Sequence, residues 1–229
     1  MLLDTTAAPV TRPAARAWPV TARLGVAGMA GFLGASIVTG ALNPGYSPAR
    51  EAVSALAATD ARFAWIMIAG FLISSVGMIA TGIGLWRRFA GVTSGRVAAV
   101  MAVICGSLMA VAALARQDCS ERLPSCIDHG AAPLASTHFW VHQYSALLLF
   151  VLLTVSIFVL GRAVRRVPGL GHLAWPVRLA GIWGVLCIAE LMVDPPALNG
   201  VAGLVQRAFY LVIYLTPVLV AGLPARRGA

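Results

Sequence analysis

Six stretches of roughly 20 residues dominate this chain, at 24–42, 63–85, 97–115, 139–161, 174–193 and 202–223, and few charges interrupt them. A hydrocarbon core of ~30 Å needs about 20 residues of helix at ~1.5 Å each. Lipid offers the backbone no hydrogen bonds, so only helices or closed barrels cross it. Barrel strands would alternate apolar and polar side chains over ~10 residues, and no such alternation is present. The expected fold is therefore all-α: a polytopic transmembrane helix bundle of six spans. Composition agrees. Charged residues make up 11% of the chain and mean hydropathy is +0.86, where a soluble domain carries about a quarter charged.

The formal charge of +9 raises nucleic acid as a partner, but the distribution argues against it. Every basic residue is Arg, and most flank apolar runs with no basic stripe interleaved with aromatics. That placement reads as topology, with some attraction to anionic lipid heads. With the N-terminus inside, Arg12, Arg16, Arg23, Arg87, Arg88, Arg96, Arg162, Arg165, Arg166, Arg178, Arg226 and Arg227 are internal. Arg50, Arg62, Arg116, Arg122 and Arg207 are external. Twelve against five puts both termini in the cytoplasm; the absence of lysine suits a GC-rich bacterial genome, so the expected location is a bacterial plasma membrane. Residues 1–22 and 225–229 are expected as cytoplasmic tails around a spanning domain at 23–224. Apart from Asp4, the acids take the outer side or the outer helix ends: Glu51, Asp60, Asp118, Glu121, Asp128, Glu190 and Asp194. His129, His138 and His142 join them.

Local patterns refine this picture. Ala27, Gly31, Ala35 and Thr39 form an i, i+4 series of small residues that lets a second helix approach the first span. Trp65 and Trp86 stand 21 positions apart, about 32 Å of helix, which suits aromatic belts at both interfaces. After the first span comes NPGYSPAREAVSALAATDARF. Ser47 and Pro48 read as N-cap and first residue of a helix running to about Ala58, with Thr59 or Asp60 capping the second span. Arg50, Glu51 and Ser54 share a face of it, near Tyr46. The expectation is a short amphipathic helix at the interface, its polar face either turned into the bundle or solvated.

The second outer segment holds Cys119 and Cys126, placed for a disulfide if that side is oxidising. His138 and His142, i and i+4 at the start of the fourth span, have the spacing of a metal-binding pair. Zinc would need a third ligand from Asp118, Asp128, His129 or Glu190. Otherwise one His sits at head-group level and the other bonds inside the bundle. Glu190 is the deepest acid, and an ionisable residue in a span is a functional suspect. Arg207 or Arg50 is its natural counter-charge.

The pieces NPGYSPAREAVSALA, DCS and HGAAPLASTHFWVH together resemble DUF998, a family of uncharacterised prokaryotic multi-span membrane proteins, over about residues 24 to 220. The resemblance implies a six-helix membrane fold and no reaction. Ser54, Asp118, His138 and His142 are also similar in kind to the groups of zinc-dependent membrane hydrolases of the alkaline ceramidase type, in a different helix order. Three readings follow. In the first, an outward-facing polar site binds a lipid or isoprenoid head group through Tyr46, Arg50, His142 and Arg207. In the second, a membrane-embedded enzyme uses Glu51, Ser54, Asp118 and Glu190, as a zinc hydrolase or a proton-initiated cyclase. In the third, the chain is a non-catalytic accessory subunit. Membrane lipids are the expected partners in each.

Overall fold

The computed structural model describes residues 18–119, 136–193 and 200–223. Among them all regular structure is helical, and six helices are long and apolar enough to cross a membrane. They are α1 (Val20–Leu42), α2 (Ala64–Arg88), α3 (Thr93–Leu114), α4 (Thr137–Val164), α5 (Ala174–Val193) and α6 (Ala202–Gly222). The chain is a multi-pass α-helical membrane protein. α1 begins at Val20, within the segment expected as tail.

Consecutive helices α1 to α5 pack side by side. α6 closes the bundle: its first half lies on α5 and its second half on α1 and α2. Lipid tails are as apolar as leucine, so contact between helices depends on close fit rather than on hydrophobicity. One such close fit is a slot at the α1–α2 crossing. A Cβ on Gly28 would stand 3.0 Å from Gly77 Cα and 2.6 Å from the Tyr214 hydroxyl oxygen. That hydroxyl donates to Ser74 O at 3.0 Å, so the two glycines make room for a buried tyrosine of α6. The expected small-residue series is out of phase at its start: Ala27 is exposed, and Gly25 and Gly28 take the seam instead.

α6 is not uniform. Tyr210–Tyr214 forms one π-helical turn. Pro217 sits downstream in α6, where its ring would press on the carbonyl of Ile213 and its missing N–H leaves that carbonyl unpaired. A widened turn accommodates both. The turn also brings Phe209, Tyr210, Ile213 and Tyr214 to the interior together. Tyr210 meets Phe32 with ring centroids 5.0 Å apart and Phe150 at 5.5 Å, and Phe32 meets Phe71 at 5.3 Å. This aromatic cluster ties α1, α2, α4 and α6 and supports the site above it. Trp65 and Trp86 are exposed at the two ends of α2, as an aromatic belt requires.

Candidate functional site

The stretch between α1 and α2 departs from the expected amphipathic helix. One turn forms, with Glu51 N–H donating to Ser47 O at 2.9 Å and the Glu51 carboxylate accepting Ser47 N–H at 2.7 Å. The backbone then extends at Ala52 (φ −59, ψ 149) and re-enters as a 3-10 helix, Val53–Ala57, buried at all five residues. The helix is interrupted because a competing partner takes its backbone: Val53 N–H donates to Gln206 Oε1 at 2.7 Å. α6 comes that close because position 203 is glycine. A Cβ there would stand 2.4 Å from Glu51 O and 2.6 Å from Pro48 O.

Buried irregular backbone must find partners inside the protein. Here two arginines supply them. Arg116 donates through Nε to Ala57 O at 2.9 Å and through Nη2 to Ala58 O at 2.6 Å. Arg207 Nη1 donates to Pro48 O at 2.7 Å, Glu51 O at 3.1 Å and Gly203 O at 2.8 Å, while Nη2 donates to the Tyr46 hydroxyl. Asn43 clamps the entry, donating to Thr39 O at 2.8 Å and Arg62 O at 2.9 Å and accepting Arg62 N–H at 2.8 Å. Neither Thr59 nor Asp60 caps α2. Its N-cap is Phe63, held at φ 53, a left-handed conformation that is costly for a bulky residue. Thr59 is instead tied to the next segment, its N–H donating to Gln117 O at 3.0 Å and its hydroxyl to Asp118 O.

The expected site residues therefore separate. Tyr46, Glu51 and Arg207 come together, around backbone carbonyls. Arg50 is exposed. Asp118 serves α4: its Oδ2 accepts Ser136 N–H at 2.8 Å, its Oδ1 accepts the Ser136 hydroxyl, and Ser136 in turn accepts Phe139 N–H at 3.2 Å as N-cap. Ser136→Ala is expected to cost about 1 kcal/mol, the usual value of an N-cap, read as a lower unfolding midpoint in detergent. Cys119 is disulfide-bonded, and Cys126, Asp128, His129 and Asp194 lie outside the described residues. Cys105 and Cys187 are free and buried. His138 is exposed while His142 is buried, and among the described residues no three His, Cys, Asp or Glu side chains gather as a metal-binding set. Glu190 is buried in the last turn of α5.

What remains is a cavity of about 200 Å³ between the 3-10 helix, α3, α4 and α6. Its polar wall is Ser54, Gln117, His142, Gln143 and Gln206; Phe71, Phe150 and Tyr210 bring the aromatic cluster to its apolar wall. His142 Nδ1 lies 2.8 Å from Ala112 O and 3.0 Å from Ala115 O, carbonyls left over at the end of α3. Both are acceptors, so Nδ1 carries the hydrogen and Nε2 is the nitrogen that remains for another partner. Gln117 is 6% exposed, and its Oε1 is buried without a hydrogen bond. Among the described residues, no carboxylate or guanidinium lines the cavity.

Gln117, Gln143, Gln206, Arg116 and Asn43 were not singled out from the sequence. The two glutamines inside apolar spans were the available signal, since an amide in a span must find a partner or a ligand. No curated protein and no solved structure matches the chain. The family described as "Protein of unknown function (DUF998)" matches residues 12–223, nearly the whole length including every helix that builds the cavity, and the chain belongs to that family.

Proposed function

We propose that the protein binds an amphiphile with an uncharged, hydrogen-bonding head group in the cavity beside His142. The observation that carries this reading is the buried Gln117 Oε1, an acceptor without a partner, in a wall whose described residues hold several amides, a hydroxyl and an imidazole but no formal charge. A buried polar atom left unpaired costs about 1–3 kcal/mol, and a ligand hydroxyl or amide N–H removes that cost. At about 200 Å³ the cavity is smaller than the ~300–1,000 Å³ of sites that engulf drug-sized ligands. It takes a head group, and the apolar tail lies along the outer helix faces. The head group is not a phosphate, because Arg207 and Arg116 already donate to backbone carbonyls and Arg50 is exposed. The excess of Arg at the other end supports an outward orientation of this cavity, with both termini cytoplasmic.

The test compares two probes with the same tail: a monoacylglycerol and the corresponding lysophosphatidic acid. The monoacylglycerol is expected to raise the unfolding midpoint of the detergent-purified protein, and Gln117→Leu to weaken that response by up to about tenfold, the value of one hydrogen bond. Gln117→Leu is also expected to stabilise the ligand-free protein by about 1 kcal/mol, because it removes the unpaired atom. A variant that loses stability yet responds normally to the monoacylglycerol refutes the reading. So does a Gln117-dependent response to the phosphate-headed probe alone.

A further inference from the structure

A second cavity, of about 420 Å³, lies at the opposite end of the bundle and is lined by Arg162, Arg165, Arg166 and Arg178. Three of the four come from the last turn of α4 and the residues after it. Positions 162, 165 and 166 are related by i, i+3 and i, i+4 and share a face. The chain then turns back through Gly169, at φ 79, and a 3-10 helix at Gly171–Leu173 into α5. This brings Arg178 alongside: a Cβ on Gly161 would meet Arg178 Cγ at 3.4 Å. His142 and Arg162 are twenty positions apart on α4, about 30 Å along its axis, so the two cavities are separated by the thickness of a hydrocarbon core.

The positive-inside bias places arginines at this end of the bundle but does not gather four of them around one space. The negative end of the α4 dipole favours cations in and just after its last turn, which serves Arg162, Arg165 and Arg166. It does not serve Arg178, which lies early in α5, near that helix's positive end. No carboxylate compensates them among the described residues. Glu51 receives Ser47 N–H, Asp118 caps α4 at its first turn, Asp60 precedes α2 and Glu190 ends α5, all at the other end. Other arginines are occupied: Arg23, Arg116 and Arg207 donate to backbone carbonyls, and Arg96 stacks on Trp86 at 5.1 Å. The guanidinium groups of Arg162, Arg165, Arg166 and Arg178 donate no hydrogen bond to the described residues. Four like charges around one space repel, and a guanidinium presents a planar fork of donors that matches phosphate oxygens in pairs.

We propose that this cavity is a phosphate site and that its occupant is the head group of an anionic phospholipid. The depth favours a lipid over a soluble anion. The cavity lies where α4 ends and α5 begins, at head-group level, and the neighbouring Trp175 is exposed, as an interfacial tryptophan is. Basic pockets between helices at this level are the usual form of a head-group site. The volume admits a glycerophosphate rather than a bare phosphate ion.

The experiment measures the unfolding midpoint of the purified full-length protein in neutral detergent against added phosphatidylglycerol, phosphatidylcholine or inorganic phosphate. Phosphatidylglycerol is expected to stabilise the wild type, with phosphatidylcholine much weaker. Arg162→Gln/Arg178→Gln is expected to weaken the apparent affinity for phosphatidylglycerol by about tenfold or more. Arg87→Gln/Arg96→Gln removes the same charge from positions at the same end of the bundle that do not line the cavity and is expected to change it less than about twofold, within the range of exposed surface charges. Should the glutamine pair not fold, Arg162→Lys/Arg178→Lys keeps the charge, removes the fork, and is expected to weaken binding in the same direction. Equal losses in the two glutamine pairs, or no loss in either, overturn the site, since binding then follows net charge or lies elsewhere. Competition by millimolar inorganic phosphate as strong as by the lipid overturns the lipid as occupant. The two cavities lie about 30 Å apart along α4, so failure here leaves the head-group reading of the first cavity standing.

Discussion

Arg207→Met is expected to release the buried 3-10 segment and to destabilise the protein by about 3 kcal/mol. The reason is the number of acceptors that lose their donor at once. Arg207 serves Pro48 O, Glu51 O and Gly203 O through a single nitrogen and the Tyr46 hydroxyl through another. A hydrogen bond from a charged donor contributes roughly 1.5–3 kcal/mol, discounted here because the side chain is only half-buried. Methionine keeps most of the stem and none of the donors. The unfolding midpoint in detergent measures the loss, and limited proteolysis between residues 47 and 58 localises it. Because Ala52, Val53 and Ser54 belong to the cavity wall, the monoacylglycerol response should fall in the same variant. Arg50→Ala is the control. Its side chain is exposed, and the expected change is within about 0.5 kcal/mol. Equal effects at positions 50 and 207 would mean that the two arginines act only as surface charge.

Gly77→Leu should be at least as damaging, for a steric reason. A Cβ at position 77 would stand 2.6 Å from the Tyr214 hydroxyl oxygen, 2.8 Å from Leu24 O and 2.9 Å from Gly28 Cα. Two of those three are backbone atoms of α1, which cannot rotate away as a side chain can. The helices must separate, and the Tyr214–Ser74 bond goes with them. Overpacking of this kind costs about 3 kcal/mol or more, and where packing is the main attraction between helices nothing else compensates. Low yield and loss of a single monodisperse peak on size exclusion are the expected readouts. Gly34→Leu is the matching control, because a Cβ there meets nothing within 4 Å. It is expected to fold normally, helped slightly by the better helix propensity of leucine.

Much of the architecture was legible in the residues because membrane spans are a one-dimensional property. Length, apolarity and flanking arginine depend on neighbours along the chain, and the spans expected at 24–42 and 202–223 meet helices Val20–Leu42 and Ala202–Gly222. The local signals between spans were weaker. Ser47 followed by Pro48 does start a turn, but a helix start says nothing of whether the helix continues. Continuation was decided at Val53, whose N–H is taken by Gln206, 153 positions away. The same holds for the candidate site. His142 was visible as a histidine in a span, yet which of its nitrogens remains for a ligand depends on the loose carbonyls at the end of α3. Arg50 and Arg207 look alike in sequence; one is exposed, and the other lies beside three carbonyls because Gly203 lets α6 approach. Composition and hydropathy determined that this chain carries six helices long and apolar enough to cross a membrane among its described residues, since burial in lipid acts on each segment alone. Only the packed bundle decided which polar side chains hold backbone together and which line a cavity, because a hydrogen bond between distant segments exists only once the helices have met.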